Sequence, residues 1–186
     1  MSTLFIQNNT GHQEWYTPKR YIDAATKVLG TIDLDPASCE EANATVRATT
    51  YYNVEQDGLS KHWAGRVFMN PPYGSQIIGK FTKKLRQHYV DKDVCEAIVL
   101  TNNATETGWF INLANTASAI IFTHERIKFD GNYSAKESAP LQGQAIFYLG
   151  DNIDGFVEHF AQFGWVAYTS PVNKIKKVGE HIDYWL

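Results

Sequence analysis

The chain has 186 residues, of which 44% are hydrophobic and 20% charged, a composition that excludes a disordered protein and suffices for a real core. No apolar run approaches the roughly 20 residues of a membrane span, and residues 1–8 carry no basic stretch followed by a long apolar one, so a cytoplasmic protein is expected. A net charge of −3 argues mildly against nucleic-acid binding and leaves local basic patches as its only basis.

Residues 1–13 read as a polar, mobile arm. Apolar positions at helical spacing predict a helix over 18–29, with Thr17 as its cap, Pro18 in the first helical position and Gly30 closing it. Residues 31–35 read as a short strand stopped by Pro36. Ser38, with Glu41 three residues on, marks a second helix over 38–47. Residues 48–52 have the β-branched and aromatic content of a strand, and 66–69 form the next. An amphipathic helix over 76–90 carries the basic residues Lys80, Lys83, Lys84 and Arg86. The apolar run 97–101 has the pattern of a buried parallel strand. A helix over 106–115 and a strand over 119–122 follow, then a loop over 129–142 rich in Gly, Ser and Asn. A strand over 145–149, a helix over 153–162 and a strand over 165–168 complete the pattern. A second basic group, Lys174, Lys176 and Lys177, lies near the C-terminus.

No repeat or linker divides the chain, so one domain is expected. Alternating strands and helices predict an α/β fold, a mostly parallel sheet with helices on both faces. In such sheets ligands bind beyond the carboxyl ends of the strands. Asp33 and Asp35, Glu55 and Asp57, Asn70, and Asn102 with Asn103 all fall at or just past strand ends, on one rim. Asp33 and Asp35 are not both expected to point into one pocket unless the strand bends, and Asp33 is the one expected to be structural.

The most specific motif is Asn70-Pro71-Pro72-Tyr73, directly after Val67-Phe68-Met69. The Asn70 amide oxygen and the Pro71 carbonyl can each accept one N–H of a planar amino group. Engaging both hydrogens favours a pyramidal nitrogen whose lone pair faces an electrophilic methyl. The prolines stiffen the turn and bring acceptors without donors. Tyr73 offers a face on which the ring bearing the amine can stack. No general base is required, because the methylated amine releases its proton to water. The six histidines show no ligand spacing with the cysteines, and no metal is expected. Cys39 and Cys95 read as small, partly buried thiols of a reducing compartment.

Glu14-Trp15-Tyr16-Thr17-Pro18, Asp33-Leu34-Asp35-Pro36-Ala37-Ser38, Asp57-Gly58-Leu59 with Trp63, and Asn70-Pro71-Pro72-Tyr73 occur in this order over residues 14–73. In these pieces the chain resembles the phage-type DNA N6-adenine methyltransferases. The resemblance implies a Rossmann-like fold, S-adenosylmethionine as methyl donor, DNA adenine as substrate, and a phage or prophage origin. It further implies Asn70, Pro71, Pro72 and Tyr73 as the catalytic motif, and Trp15, Tyr16 and Thr17 near the methionine carboxylate. Asp35, in the glycine-free turn with Pro36 and Ser38, is the candidate for the methionine ammonium. Glu55 and Asp57 are candidates for the ribose hydroxyls and the cofactor's adenine, with the division between them open. The basic helix would meet DNA phosphates while the target base is flipped out. Two other readings are a protein glutamine methyltransferase, whose substrate is also a planar amide, and an inactive module that binds nucleic acid or cofactor.

Overall fold

A computed structural model describes residues 15–74, 76–130 and 142–169. The polar arm at 1–13, most of the 129–142 loop and the basic group at 174–177 lie outside them. Among the described residues seven strands form one sheet: β1 (Leu34–Asp35), β2 (Thr50–Tyr51), β3 (Gly65–Met69), β4 (Val94–Asn102), β5 (Ala119–Thr123), β6 (Gln144–Leu149) and β7 (Gly164–Tyr168). Five helices accompany them: α1 (Lys19–Leu29), α2 (Glu40–Val46), α3 (Ile77–Val90), α4 (Gly108–Ala114) and α5 (Ile153–Phe160).

The strand order is β2-β1-β3-β4-β6-β5-β7. The first half is parallel, as β1 pairs with β2 and β3, and β3 with β4. The β4–β6, β5–β6 and β5–β7 pairs are antiparallel, so the expectation of a mostly parallel sheet fails in the second half. A parallel connection needs a long crossover, usually a helix. The sequence offers no helix between β5 and β6, and β6 returns against its neighbours.

Strand alternation sends each sheet face to its own core. Phe68, Ile98, Leu100, Ile146 and Tyr148 pack on one side with α1 and α5, through Tyr21, Leu29, Phe156 and Phe160. Val67, Met69, Val99, Phe147 and Leu149 pack on the other with α3 and α4, through Phe81, Leu85, Phe110 and Leu113. Helices therefore cover both faces, as the alternation predicts. No helix among the described residues is long and apolar enough to cross a membrane.

Local chemistry shifts two predicted caps. Helix α1 starts one residue late, with Pro18 rather than Thr17 in the cap position and no side-chain cap bond. Thr17 is instead buried. Cys39 caps α2 in place of Ser38, its Sγ accepting the Ala42 N–H at 3.4 Å. Gly30 closes α1 as predicted, at φ 77°, its N–H bonded to the Thr26 carbonyl. Cys39 is half-buried as expected, but Cys95 is exposed, and the two form no disulfide.

The tightest junction lies beside the end of β1. Gly58 opens a 3-10 turn (Gly58–Ser60), and its carbonyl accepts the indole N–H of fully buried Trp63 at 2.8 Å. A Cβ at Gly58 would stand 2.0 Å from the Pro36 carbonyl oxygen, a backbone atom that cannot rotate away. Gly58→Ala should therefore lower Tm by roughly 5–10 °C, the usual scale of core overpacking in a chain of this size. A calorimetric scan of the variant checks this.

Candidate active site at the strand ends

Strands β1 to β4 run in one direction, so their carboxyl ends share an edge of the sheet. A cavity of about 310 Å³ opens there. That volume is at the lower end of the range for small-molecule sites. Asp35, Pro36 and Ser38 reach it from the end of β1, and Asn70, Pro71, Pro72 and Tyr73 from the end of β3. Trp15, Tyr16 and Thr17 close it from the segment before α1. Asp57 joins them from the turn after β2. Pieces far apart in sequence thus meet around one space.

The Asn70 side chain is held at both ends. Its Nδ2 donates to the Trp15 carbonyl at 2.9 Å, and its Oδ1 accepts the Tyr73 hydroxyl at 2.7 Å. A carbonyl can only accept, so the Trp15 bond fixes which way the amide faces. The Trp15 segment is itself anchored. Tyr16 and Asp130 exchange two backbone bonds of 3.1 and 2.9 Å, and the Trp15 ring meets Phe129 edge-on at 5.5 Å. Burial pushes the Tyr73 phenol well above its ordinary value, so it stays a neutral donor. Oδ1 has a second lone pair beyond the one given to Tyr73.

Asp35 is 3% exposed. Its Oδ1 accepts the Ala37 N–H at 3.2 Å. Burial outweighs the help of the Ala37 amide and the Ser38 side chain, and the carboxyl is pushed up to about 7. Among the described residues, no lysine or arginine contributes to holding it ionised. Asp33 behaves oppositely. Burial would raise it too, but the Arg66 amide and guanidinium and the Thr31 hydroxyl outweigh that and hold it below the usual carboxylate range. Its Oδ2 lies 2.8 Å from the Arg66 backbone nitrogen and 3.0 Å from Nε, and a further Arg66 nitrogen donates to the Leu29 carbonyl. One carboxylate braces β1 against β3 while its neighbour faces the cavity.

Not every predicted residue arrives. Glu55 is exposed and absent from the cavity wall. Asp57 is in the wall, with Oδ1 engaged by the Leu59 N–H at 3.1 Å. Asn102 and Asn103 end β4 on the same edge but do not reach the cavity; the Asn102 amide oxygen instead meets Gln144 Nε2 at 3.5 Å. Cys39, Val46, Asn53, Val54 and Phe68 also line the wall and were not anticipated as site residues. Asn53 and Val54 lie just past β2, so the rule that ligands gather past strand ends could have found them.

A buried acid with a raised pKa has a definite effect on stability. Below about pH 4 both the folded and unfolded forms of Asp35 are protonated. As pH rises toward 7 the unfolded chain ionises first, and stability is lost until the folded form also ionises. Asp35→Asn should therefore match the wild type in urea melts near pH 4 and exceed it at pH 8 by a few kcal/mol, at about 1.4 kcal/mol per pKa unit.

No curated protein matches the chain. A family model described as DNA N-6-adenine-methyltransferase (Dam) matches residues 7–158. This span includes the Trp15 segment, Asp35, the Asn70–Tyr73 turn, helices α1 to α4 and most of α5. The chain belongs to the DNA N-6-adenine-methyltransferase (Dam) family.

Proposed function

We propose that this protein methylates the exocyclic amine of adenine in DNA, taking the methyl group from S-adenosylmethionine. The observation that carries the reading is the oriented Asn70 amide, in the same cavity as buried Asp35. Family membership supports DNA adenine methylation as the activity class.

The residues present fit S-adenosylmethionine. The cavity combines one buried acid, uncompensated by a cationic side chain among the described residues, with apolar walls from Val46, Leu59 and Phe68. Asp35 would hold the ammonium, and Thr17 and the Trp15–Tyr16 segment would lie toward the methionine carboxylate. Asp57 is the better candidate for a nucleoside contact, since Glu55 stands outside the wall. When bound, S-adenosylmethionine supplies an electrophilic methyl on a sulfonium.

Asn70 Oδ1 and the Pro71 carbonyl accept the two amine hydrogens, and their dipoles stabilise the positive charge growing on nitrogen. The Trp15 carbonyl keeps the Asn70 oxygen aimed during this step. Because that orientation is set before substrate arrives, little reorganisation is needed. The tyrosyl hydroxyl shares Oδ1, so Tyr73 supports the amide and also offers its ring to a flipped base. After transfer, the methylated nitrogen gives its proton to water.

Helix α3 starts four residues after Tyr73, which sets an order among the basic side chains. Lys80 adjoins Phe81, a cavity-wall residue, whereas Arg86 lies about 9 Å further along the axis at 1.5 Å per residue. Lys84 is partly tied down, its Nζ 5.6 Å from the Trp63 ring centre. Lys80 and Lys83, both exposed, are therefore the first candidates for phosphate.

Labelled S-adenosylmethionine offered with DNA, RNA and protein separately should label DNA, as N6-methyladenine. Label on protein or RNA, or on another nucleoside, would reject the proposal. Asn70→Ala should lower turnover by about 100-fold or more while leaving cofactor affinity within a few-fold, as losing one oriented group in an active site does. Cofactor affinity should rise with pH through about 7 as Asp35 ionises, and Asp35→Asn should abolish that rise in titration calorimetry. Lys80→Ala and Lys83→Ala should each reduce the slope of log K against log salt for DNA by about one, and Arg86→Ala by less.

A further inference from the structure

At the opposite edge of the sheet, His62, His88 and Asp93 bring two imidazoles and a carboxylate together. His88 belongs to the last turn of α3, Asp93 to the loop before β4, and His62 follows the 3-10 turn. Their three donor atoms all lie within 4.8 Å of one another. His88 Nδ1 is 2.9 Å and His62 Nε2 3.9 Å from the same Asp93 oxygen. The two imidazole rings meet edge to face, with centres 4.9 Å apart.

We propose that this cluster is a binding site for a divalent transition metal of the zinc class, with His62 Nε2, His88 Nδ1 and Asp93 Oδ2 as ligands. A tetrahedral ion with bonds of 2.0–2.1 Å separates its donors by roughly 3.3 Å. The two separations to Asp93 bracket that value, and the third, between the imidazole nitrogens and no more than 4.8 Å, closes when the exposed His62 ring turns inward. Imidazole with carboxylate suits zinc, cobalt or nickel and not magnesium or calcium, which prefer all-oxygen sets. The His62 side chain is 65% exposed, which gives an ion a path in and leaves a coordination position for water.

The supporting frame is rigid on two sides. The His88 ring stacks near the buried Trp63 ring, with centres 6.3 Å apart and planes 25° apart. The Asp93 carbonyl accepts the Gly65 N–H at 2.9 Å, which ties the loop to the start of β3. The site lies at the amino ends of β3 and β4, whereas the cavity lies at the carboxyl ends, so the ion would have no part in methyl transfer. Its role is to fasten the segment that follows Asp57, Gly58 and Leu59 to the end of α3. Spacing in sequence does not reveal this set, because His62 is remote from the other two and the third ligand is an aspartate.

The test uses the full chain, stripped with chelator and titrated with zinc chloride and with cobalt(II) chloride. One equivalent should bind at micromolar concentration or below, Tm should rise, and cobalt should give a visible spectrum typical of low coordination number. Magnesium chloride should produce none of these. His62→Ala, at an exposed position and checked for wild-type circular dichroism and metal-free Tm, should weaken binding at least tenfold and remove the Tm rise. Asp93→Asn should also weaken it, and His159→Ala, remote from the cluster, should not. Absence of stoichiometric zinc binding, or wild-type affinity and an unchanged cobalt spectrum in His62→Ala, would overturn the proposal.

Discussion

The bond from the Asn70 amide to the Trp15 carbonyl joins two parts of the chain that sequence order keeps far apart. It also decides the polarity of the cavity. If the amide were free to turn, either its oxygen or its nitrogen could face an incoming amine, and half of those encounters would oppose two donors. With Nδ2 committed to Trp15, the oxygen is the atom left to accept. The bond depends on the segment before α1 staying in place, and the Tyr16–Asp130 bridge and the Trp15–Phe129 contact hold it there. Residues without reactive groups therefore control the chemistry of one that has them.

The same cavity carries an energetic burden. Among the described residues Asp35 is buried without a cationic side chain to pair with, while Asp33, two residues earlier, is matched to Arg66. A fold selected for stability alone would pair both or neither. Functional sites often retain such unfavourable groups, because a ligand that brings the missing charge recovers the energy on binding. Strand alternation does not cause the contrast, since residues two apart share a side of a regular strand; Asp33 lies just before β1, where it meets Arg66, and Asp35 ends β1 at the cavity.

The sheet separates two kinds of chemistry. Its β1–β4 carboxyl ends gather the groups that would meet cofactor and base, and its amino ends gather the His62–His88–Asp93 cluster. Helix α3 spans both. Its first turn follows the Asn70–Tyr73 motif and its last turn supplies His88. Gly58 and Trp63 link the same two regions on the other side, one against Pro36 and the other beneath His88.

Local sequence was enough to place the elements, the motif and the edge of the sheet where the cavity opens. Helical and strand periodicity are local properties, and each of the five predicted helices and seven predicted strands has its counterpart in the structure. The Asn70–Tyr73 turn was legible because Pro-Pro after an apolar strand constrains the backbone whatever surrounds it. Tertiary structure alone decided the remaining points. The reversal of β6 and β7 depends on pairing between distant strands. Asp35 rather than Glu55 entered the cavity because the β1 strand end is buried against the turn at Gly58, while Glu55 remains on an exposed loop. Cys39 took the cap expected of Ser38, and the histidine–aspartate cluster formed across three elements, because both depend on where side chains stand in space and not on their spacing along the chain.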